Sequence, residues 1–402
     1  MINQSTWCQM TINRACLILW LILFAVGMWL AAHKPLWCDE LYGQKITIEG
    51  SSWGKILTGR FDNEGNNFPL YFAIQKALMS AVKLHFPDDL LKDFQLPVEN
   101  RKYFLLVYPK GQIILRLLPD ALMTTAIVFL VRFFWVREGM MVGLMALLSA
   151  LSSGMVWGYW AEARPYPLWF LLTLLQALFV IAVLSGEKFS GKIKVRLIIV
   201  NWLLAVTAPL GFIQVIFVQE ILFLSGQRQL KDYFWAGILP VCAALFFLSG
   251  RSHNSLYIAI NPVDIISLNC SLEQIALLFF YLMAFSCRQV WVYKSDGYEK
   301  RVWKGILHLP HLLMGLCLSI AILVYIAWHW PGEHDGFPVY GRHFFFLSAL
   351  SVIMAAAMFS DLWSGSRRSP LWRGIFSIFF IVLLFSQWLG GFAHAWYQGY
   401  FL

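Results

Sequence analysis

Ala15-Cys-Leu-Ile-Leu-Trp-Leu-Ile-Leu-Phe-Ala-Val-Gly-Met-Trp-Leu-Ala-Ala32, followed four residues later by Trp37-Cys38-Asp39-Glu40-Leu41-Tyr42, sets the class of this protein. At about 1.5 Å per residue the apolar run forms a helix of roughly 27 Å, close to the hydrocarbon thickness of a bilayer. Arg14 precedes it, but Leu30 stands where a cleavage site needs a small residue, so the run is expected to be an uncleaved anchor. Two carboxylates then follow at the membrane edge, where ionisable groups are costly and mark function.

Composition extends this reading to the whole chain. Of 402 residues 59% are hydrophobic and 13% charged, with a mean hydropathy of +0.64. That is a polytopic membrane protein and leaves no soluble domain over. Nineteen Trp and fifteen Tyr suit interfacial belts. The net charge of +9 does not imply nucleic acid, because the basic residues lie in short loops between apolar runs, where membrane orientation accounts for them. The seven Cys have no paired spacing for zinc or redox chemistry.

Apolar runs place spans near 15–32, 113–131, 139–157, 167–185, 197–208, 210–225, 233–249, 272–290, 305–330, 342–360 and 372–392, eleven in all. Basic residues on both flanks of 197–225 require the chain to cross twice there, about Pro209-Leu-Gly211. The same rule puts the N-terminus in the cytoplasm, the C-terminus outside, and both 33–112 and 154–166 outside. Within 33–112, Lys76, Ser80 and Lys83 form one stripe while Leu70, Ile74, Ala77, Leu78, Ala81 and Val82 line the other side. Residues 69–86 are therefore expected to be an amphipathic helix in the interface. The expected architecture is an all-α integral membrane bundle, one domain over 1–402, with 33–112 as a long first external loop, 113–225 as the rest of the core and 226–402 as C-terminal helices. Polar clusters recur at external span ends: Glu162-Ala-Arg164-Pro-Tyr166, Arg251-Ser-His253, Glu333-His334-Asp335 and Arg342-His343.

Tyr159-Trp-Ala-Glu162-Ala-Arg164-Pro165-Tyr166 closely resembles a segment of the GT-C membrane glycosyltransferases that use polyprenyl-phosphate sugars, the group of the protein O-mannosyltransferases and the lipid A aminoarabinose transferase. Trp37-Cys-Asp39-Glu40-Leu-Tyr42 is similar to that family's aspartate-glutamate motif, and Arg116-Leu-Leu-Pro119-Asp-Ala-Leu122 to its arginine-leucine-proline entry to the second span. Asn67-Phe68-Pro69 departs from the family pattern, which has a His or Lys and two prolines there, and Thr207-Ala-Pro209 stands where a His-Tyr pair is often found. The likeness covers about 15–225 and, beyond it, Tyr340-Gly-Arg342-His343.

What the resemblance implies is an inverting transferase in a bacterial inner membrane, moving a sugar from a polyprenyl-phosphate donor to an unidentified acceptor on the non-cytoplasmic face. Membrane lipids are its other partners and nucleic acid is not one. Asp39 would be the base, since partial desolvation at the boundary raises a carboxylate towards working pH, with Glu40 in support; Glu162 would orient an arginine, position the acceptor, help hold a divalent cation or form a structural ion pair with Arg164. Arg164, Arg342 and Arg116 are the candidates for the donor phosphate, because charge-assisted hydrogen bonds strengthen as the leaving group gains charge. Arg164 and Arg342 are also lone external arginines, against the orientation rule. Tyr166, Tyr42, Asn67 and His343 are candidates for substrate contact. Glu333, His334, Asp335 and His343 show no diagnostic ligand spacing, so no metal site is assigned, and a divalent cation is left open. The rivals are a transporter or lipid flippase, which would place its charges near the midplane, and an inactive scaffold of the same fold.

Overall fold

The computed structural model of the chain describes residues 4–61, 68–84, 86, 89–90, 92, 105–184, 191–208, 210–224, 233–249 and 345–365, with a few positions between 374 and 389. The leading apolar run grows at both ends into α1 (Gln4–His33). The chain then turns through β1 (Leu36–Trp37) and α2 (Cys38–Tyr42) into a π-helical segment, Gly43–Glu49. Next come α3 (Trp53–Thr58) and α4 (Pro69–Val82), and β2 (Leu105–Leu106) pairs antiparallel with β1.

The remaining described elements are helices: α5 (Pro109–Glu138), α6 (Met140–Leu151), α7 (Gly154–Tyr159), α8 (Tyr166–Leu184), α9 (Gly191–Ala205), α10 (Gly211–Leu224), a π turn (Phe234–Ile238) continuing into α11 (Leu239–Leu248), and α12 (Phe346–Gly365). Three of them, α1, α5 and α8, hold segments long and apolar enough to cross a membrane; α6, α10, α11 and α12 are shorter apolar helices. This is an all-α membrane architecture. Two of the eleven expected spans, 272–290 and 305–330, lie outside the described residues.

The pair of crossings expected in 197–225 appears as a tight hairpin of α9 and α10. A Cβ on Gly211 would lie 2.2 Å from the Leu204 carbonyl oxygen, so only glycine lets α10 start this close to the end of α9. The span expected over 139–157 is instead two pieces. α6 ends at Leu151, the Ser152 hydroxyl bonds back to the Ser149 carbonyl at 2.9 Å, and Ser153 caps α7 by accepting from the Val156 amide at 3.4 Å.

Pro119, inside α5, lacks the N–H that would bond the Leu115 carbonyl one turn back. Gln75 of α4 supplies the missing donor, its Nε2 reaching the Leu115 oxygen at 2.9 Å. In this way a helix-breaking residue becomes the clamp that holds α4 against α5. The buried face of α4 is Pro69, Tyr71, Phe72, Gln75 and Met79. Ile74, Ala77, Ala81 and Val82, on the apolar side of the expected interfacial helix, are exposed. Lys76 turns inward to the Ile48 and Ser51 carbonyls, at 2.5 and 2.8 Å.

Contacts sort the loops into two ends of the bundle. Arg132 Nε donates to Asn13 Oδ1 at 3.1 Å, joining the start of α1 to the α5–α6 turn. At the other end Lys34 reaches Gly158, the Leu70 amide donates to the Val206 carbonyl at 3.1 Å, and Arg60 lies 4.9 Å over the Phe246 ring. Residues 34–40, 60–61, 68–70, 158–164 and 206–208 therefore share one end.

Candidate functional site

Arg116 is the centre of that end. It sits in the second turn of α5, is fully buried, and its side chain crosses to the C-terminal end of α1. Nε donates to Glu40 Oε1 at 2.8 Å and Nη2 to Glu40 Oε2 at 2.5 Å. Nη2 also donates to the Pro35 carbonyl at 2.8 Å, and Nη1 donates to the carbonyls of Ala31, at 3.1 Å, and Lys34. A guanidinium has five N–H donors, and here all five are engaged within the protein. Arg116, expected at a donor phosphate, therefore has no donor left to offer one. It neutralises the carbonyl end of α1 and bonds Glu40 in a fork. Gln112, one turn earlier, helps by donating to the carbonyls of Ala32 and Lys34, at 3.3 and 2.7 Å.

Glu40 is the counterpart. It is 1% exposed, and besides Arg116 it accepts from the Ala163 amide at 2.7 Å and the Trp37 amide at 3.3 Å. Burial alone would push its carboxyl upward, but the Arg116 charge and these hydrogen bonds hold it below the usual carboxylate range. A carboxylate with four donors and no route to solvent is a poor base and a good brace. The bond to Ala163 brings the second motif, Glu162-Ala-Arg164, against the first.

Glu162 is 2% exposed and pairs with Lys34, Oε2 to Nζ at 3.6 Å. Lys34 also donates to the Gly158 carbonyl at 3.0 Å, and burial pushes its ammonium below its usual range while the Glu162 carboxylate pulls the other way. Two buried cations, Lys34 and Arg116, thus face two buried carboxylates, Glu40 and Glu162, and the cluster is neutral as a whole. Such a cluster persists only when every charge is paired.

Asp39 differs from its neighbour. It is half-buried, on the rim side of α2, and its backbone carbonyl accepts from Arg164 Nη1 at 3.2 Å. Arg164 is half-buried as well, and it meets Asp39 through this backbone carbonyl at the edge of the braced cluster. Tyr42 is half-buried, while Tyr166 is 7% exposed and packs on Tyr159 and Phe345 with ring centroids 4.7 and 5.9 Å apart. Asn67, Arg342 and His343 lie outside the described residues, as do Arg251, His253, Glu333, His334 and Asp335. Among the described residues no group of three or more His, Cys, Asp or Glu side chains could hold a metal ion.

Two charged residues matter here that the sequence reading passed over. Lys34 is a basic residue at a span end expected to be external, the same anomaly that singled out Arg164. Asp120 lies inside an expected span, which is itself a signal. It is fully buried, and its Oδ1 accepts from Trp160 Nε1 at 2.8 Å. Gly27 of α1 makes room for this pair, since a Cβ there would fall 1.7 Å from Asp120 Oδ1.

No family model matches the chain, and comparison with curated proteins and with solved structures gives no match.

Proposed function

We propose that this protein is an integral-membrane, inverting glycosyltransferase that moves a sugar from a polyprenyl-phosphate donor to an acceptor hydroxyl on the non-cytoplasmic face. The observation that carries the reading is the half-exposed Asp39 beside Arg164, held by a neutral buried cluster that joins the two motifs bearing the family resemblance. In the proposed reaction the acceptor oxygen bonds to the anomeric carbon as the bond from that carbon to the phosphate oxygen breaks. The acceptor proton passes to the Asp39 carboxylate, and polyprenyl phosphate leaves with its charge against the Arg164 guanidinium. Attack opposite the leaving group inverts the anomeric centre. Orientation with the Asp39 end outside follows from the basic loops at the opposite end.

The test is Asp39→Asn in purified protein, with binding of a polyprenyl-phosphate hexose and its transfer or hydrolysis followed separately. Loss of the general base costs roughly 10²- to 10⁴-fold in turnover while donor binding survives. Full activity of the variant removes Asp39 from the chemistry, and a wild-type protein that neither binds nor consumes such donors removes the glycosyltransferase reading.

A transporter or lipid flippase is the second reading, and Asp120 favours it as a buried carboxylate within a spanning helix. Movement of a labelled polyprenyl phosphate across vesicles, abolished by Asp120→Asn and untouched by Asp39→Asn, would establish it in place of the first.

A further inference from the structure

The π-helical segment that follows α2 packs on α4, and both elements bury polar side chains for which no hydrogen-bond partner is found among the described residues. Gln44 is 2% exposed and Thr47 is fully buried. Neither the Gln44 amide, at either atom, nor the Thr47 hydroxyl finds a partner among the described residues. On α4, which packs on this segment, Gln75, 1% exposed, is fixed by its Nε2 bond to the Leu115 carbonyl, and its Oε1 is likewise unpartnered among the described residues. Lys76, next along α4, bonds the Ile48 and Ser51 carbonyls, so these two elements are locked in this register. Buried groups of this kind are rare in folded proteins, and each one calls for an explanation. π-Helical turns are also concentrated at functional sites.

We propose that Gln44, Thr47 and Gln75 form a seat for the hydroxyl groups of a neutral sugar ring, closed over in the ligand-free protein and completed when the sugar enters. The chemistry of the set decides the ligand class. It holds amide donors, amide acceptors and a hydroxyl but no charge, which suits sugar hydroxyls, each both donor and acceptor, and suits a phosphate poorly. The seat begins one helical turn beyond Asp39, since the Gly43 amide at its start donates to the Asp39 carbonyl. The inference rests on the glycosyltransferase reading and adds to it the residues that recognise the sugar.

Thr47→Val and Gln44→Met keep side-chain volume and delete the hydrogen-bonding atoms. Each variant would be compared with wild type by thermal midpoint without ligand, and by affinity for three probes: a short-chain polyprenyl-phosphate hexose, the same polyprenyl phosphate without sugar, and an alkyl hexoside. Both variants are expected to melt higher than wild type when empty, because an unpaired buried polar group has been removed. Each should lose roughly tenfold in affinity for a sugar-bearing probe, of the order of one hydrogen bond, with affinity for the bare polyprenyl phosphate unchanged. Loss confined to the lipid-linked hexose identifies the donor's sugar, and loss confined to the alkyl hexoside identifies the acceptor's. Lower melting with unchanged sugar affinity means the groups hold structural water and overturns the proposal, as does equal loss for all three probes. If wild type binds none of the probes, the glycosyltransferase reading itself fails; if wild type binds and both variants bind equally well, only the seat fails.

Discussion

Replacing Arg116 by Met separates a brace from a phosphate ligand, because the two roles fail in different assays. Met keeps the apolar stem of the arginine and deletes the guanidinium, leaving Glu40 ionised at 1% exposure with only the Ala163 and Trp37 amides as donors. Removing one partner of a buried ion pair costs about 3–5 kcal/mol, since the remaining charge is stranded in a low-dielectric site. The carbonyls of Ala31 and Pro35 lose a donor as well, while that of Lys34 keeps Gln112. Folded proteins are stable by only about 5–15 kcal/mol, so Arg116→Met is expected to melt far below wild type in detergent, followed by the fluorescence of its Trp residues. Glu40→Gln should be destabilising for the converse reason, and the double variant should cost less than the two singles together, by roughly 2–3 kcal/mol of coupling. An Arg116→Met protein that melts with wild type while losing affinity for polyprenyl phosphate would refute this assignment and return Arg116 to the donor.

Gly27→Ala should lower the melting temperature by the equivalent of about 1–3 kcal/mol of overpacking, because the new methyl meets Asp120 Oδ1 at 1.7 Å and Trp160 Nε1 at 2.7 Å; in an Asp120→Ala background the penalty should shrink, and an unchanged penalty there would place the clash elsewhere. Stability should also fall in acid. The folded Glu40 carboxyl titrates below its ordinary value of 4.5, so its contribution is fully present above that value and is lost as pH drops through the depressed folded one. A Glu40→Gln protein should show a flatter acid limb in the same titration. Lys in place of Arg164 should restore only part of the donor turnover lost in Arg164→Ala, since an ammonium keeps the charge but not the fork, and full rescue would show that charge alone is needed.

The apolar helices and the division of 197–225 into α9 and α10 were legible because hydropathy and charge act locally along the chain. The inward face of α4 was not, for a physical reason. In a helix lying on a bilayer the most apolar stripe turns towards lipid, so the pattern Ile74, Ala77, Ala81 and Val82 marks the outer face. Its core face is instead mixed, with Tyr71 and Gln75 beside Phe72 and Met79. The span expected over 139–157 broke because Ser152 and Ser153 compete for backbone hydrogen bonds, a short-range effect that an average over nineteen residues conceals. The partners of Arg116 were illegible because they lie 76 to 85 residues away and three of them are backbone carbonyls, which have no signature in sequence.

Asp39 and Glu40 show why adjacent acidic residues need not share a role. On a helix, neighbours project about 100° apart, and α2 is only five residues long, so its orientation is set by whichever side chain is bound more firmly. That side chain is Glu40, fixed by two bonds from Arg116 and one from the Ala163 amide. Once Glu40 faces α5, Asp39 must face the rim, and the Arg164 guanidinium bonded to its carbonyl keeps it at that height. In the proposed reaction the buried carboxylate is thus what aims the base. A substitution at Glu40 should accordingly damage both stability and turnover, whereas one at Asp39 should damage turnover alone. Measuring melting temperature and transfer rate on the same two variants distinguishes this arrangement from one in which both carboxylates meet the substrate.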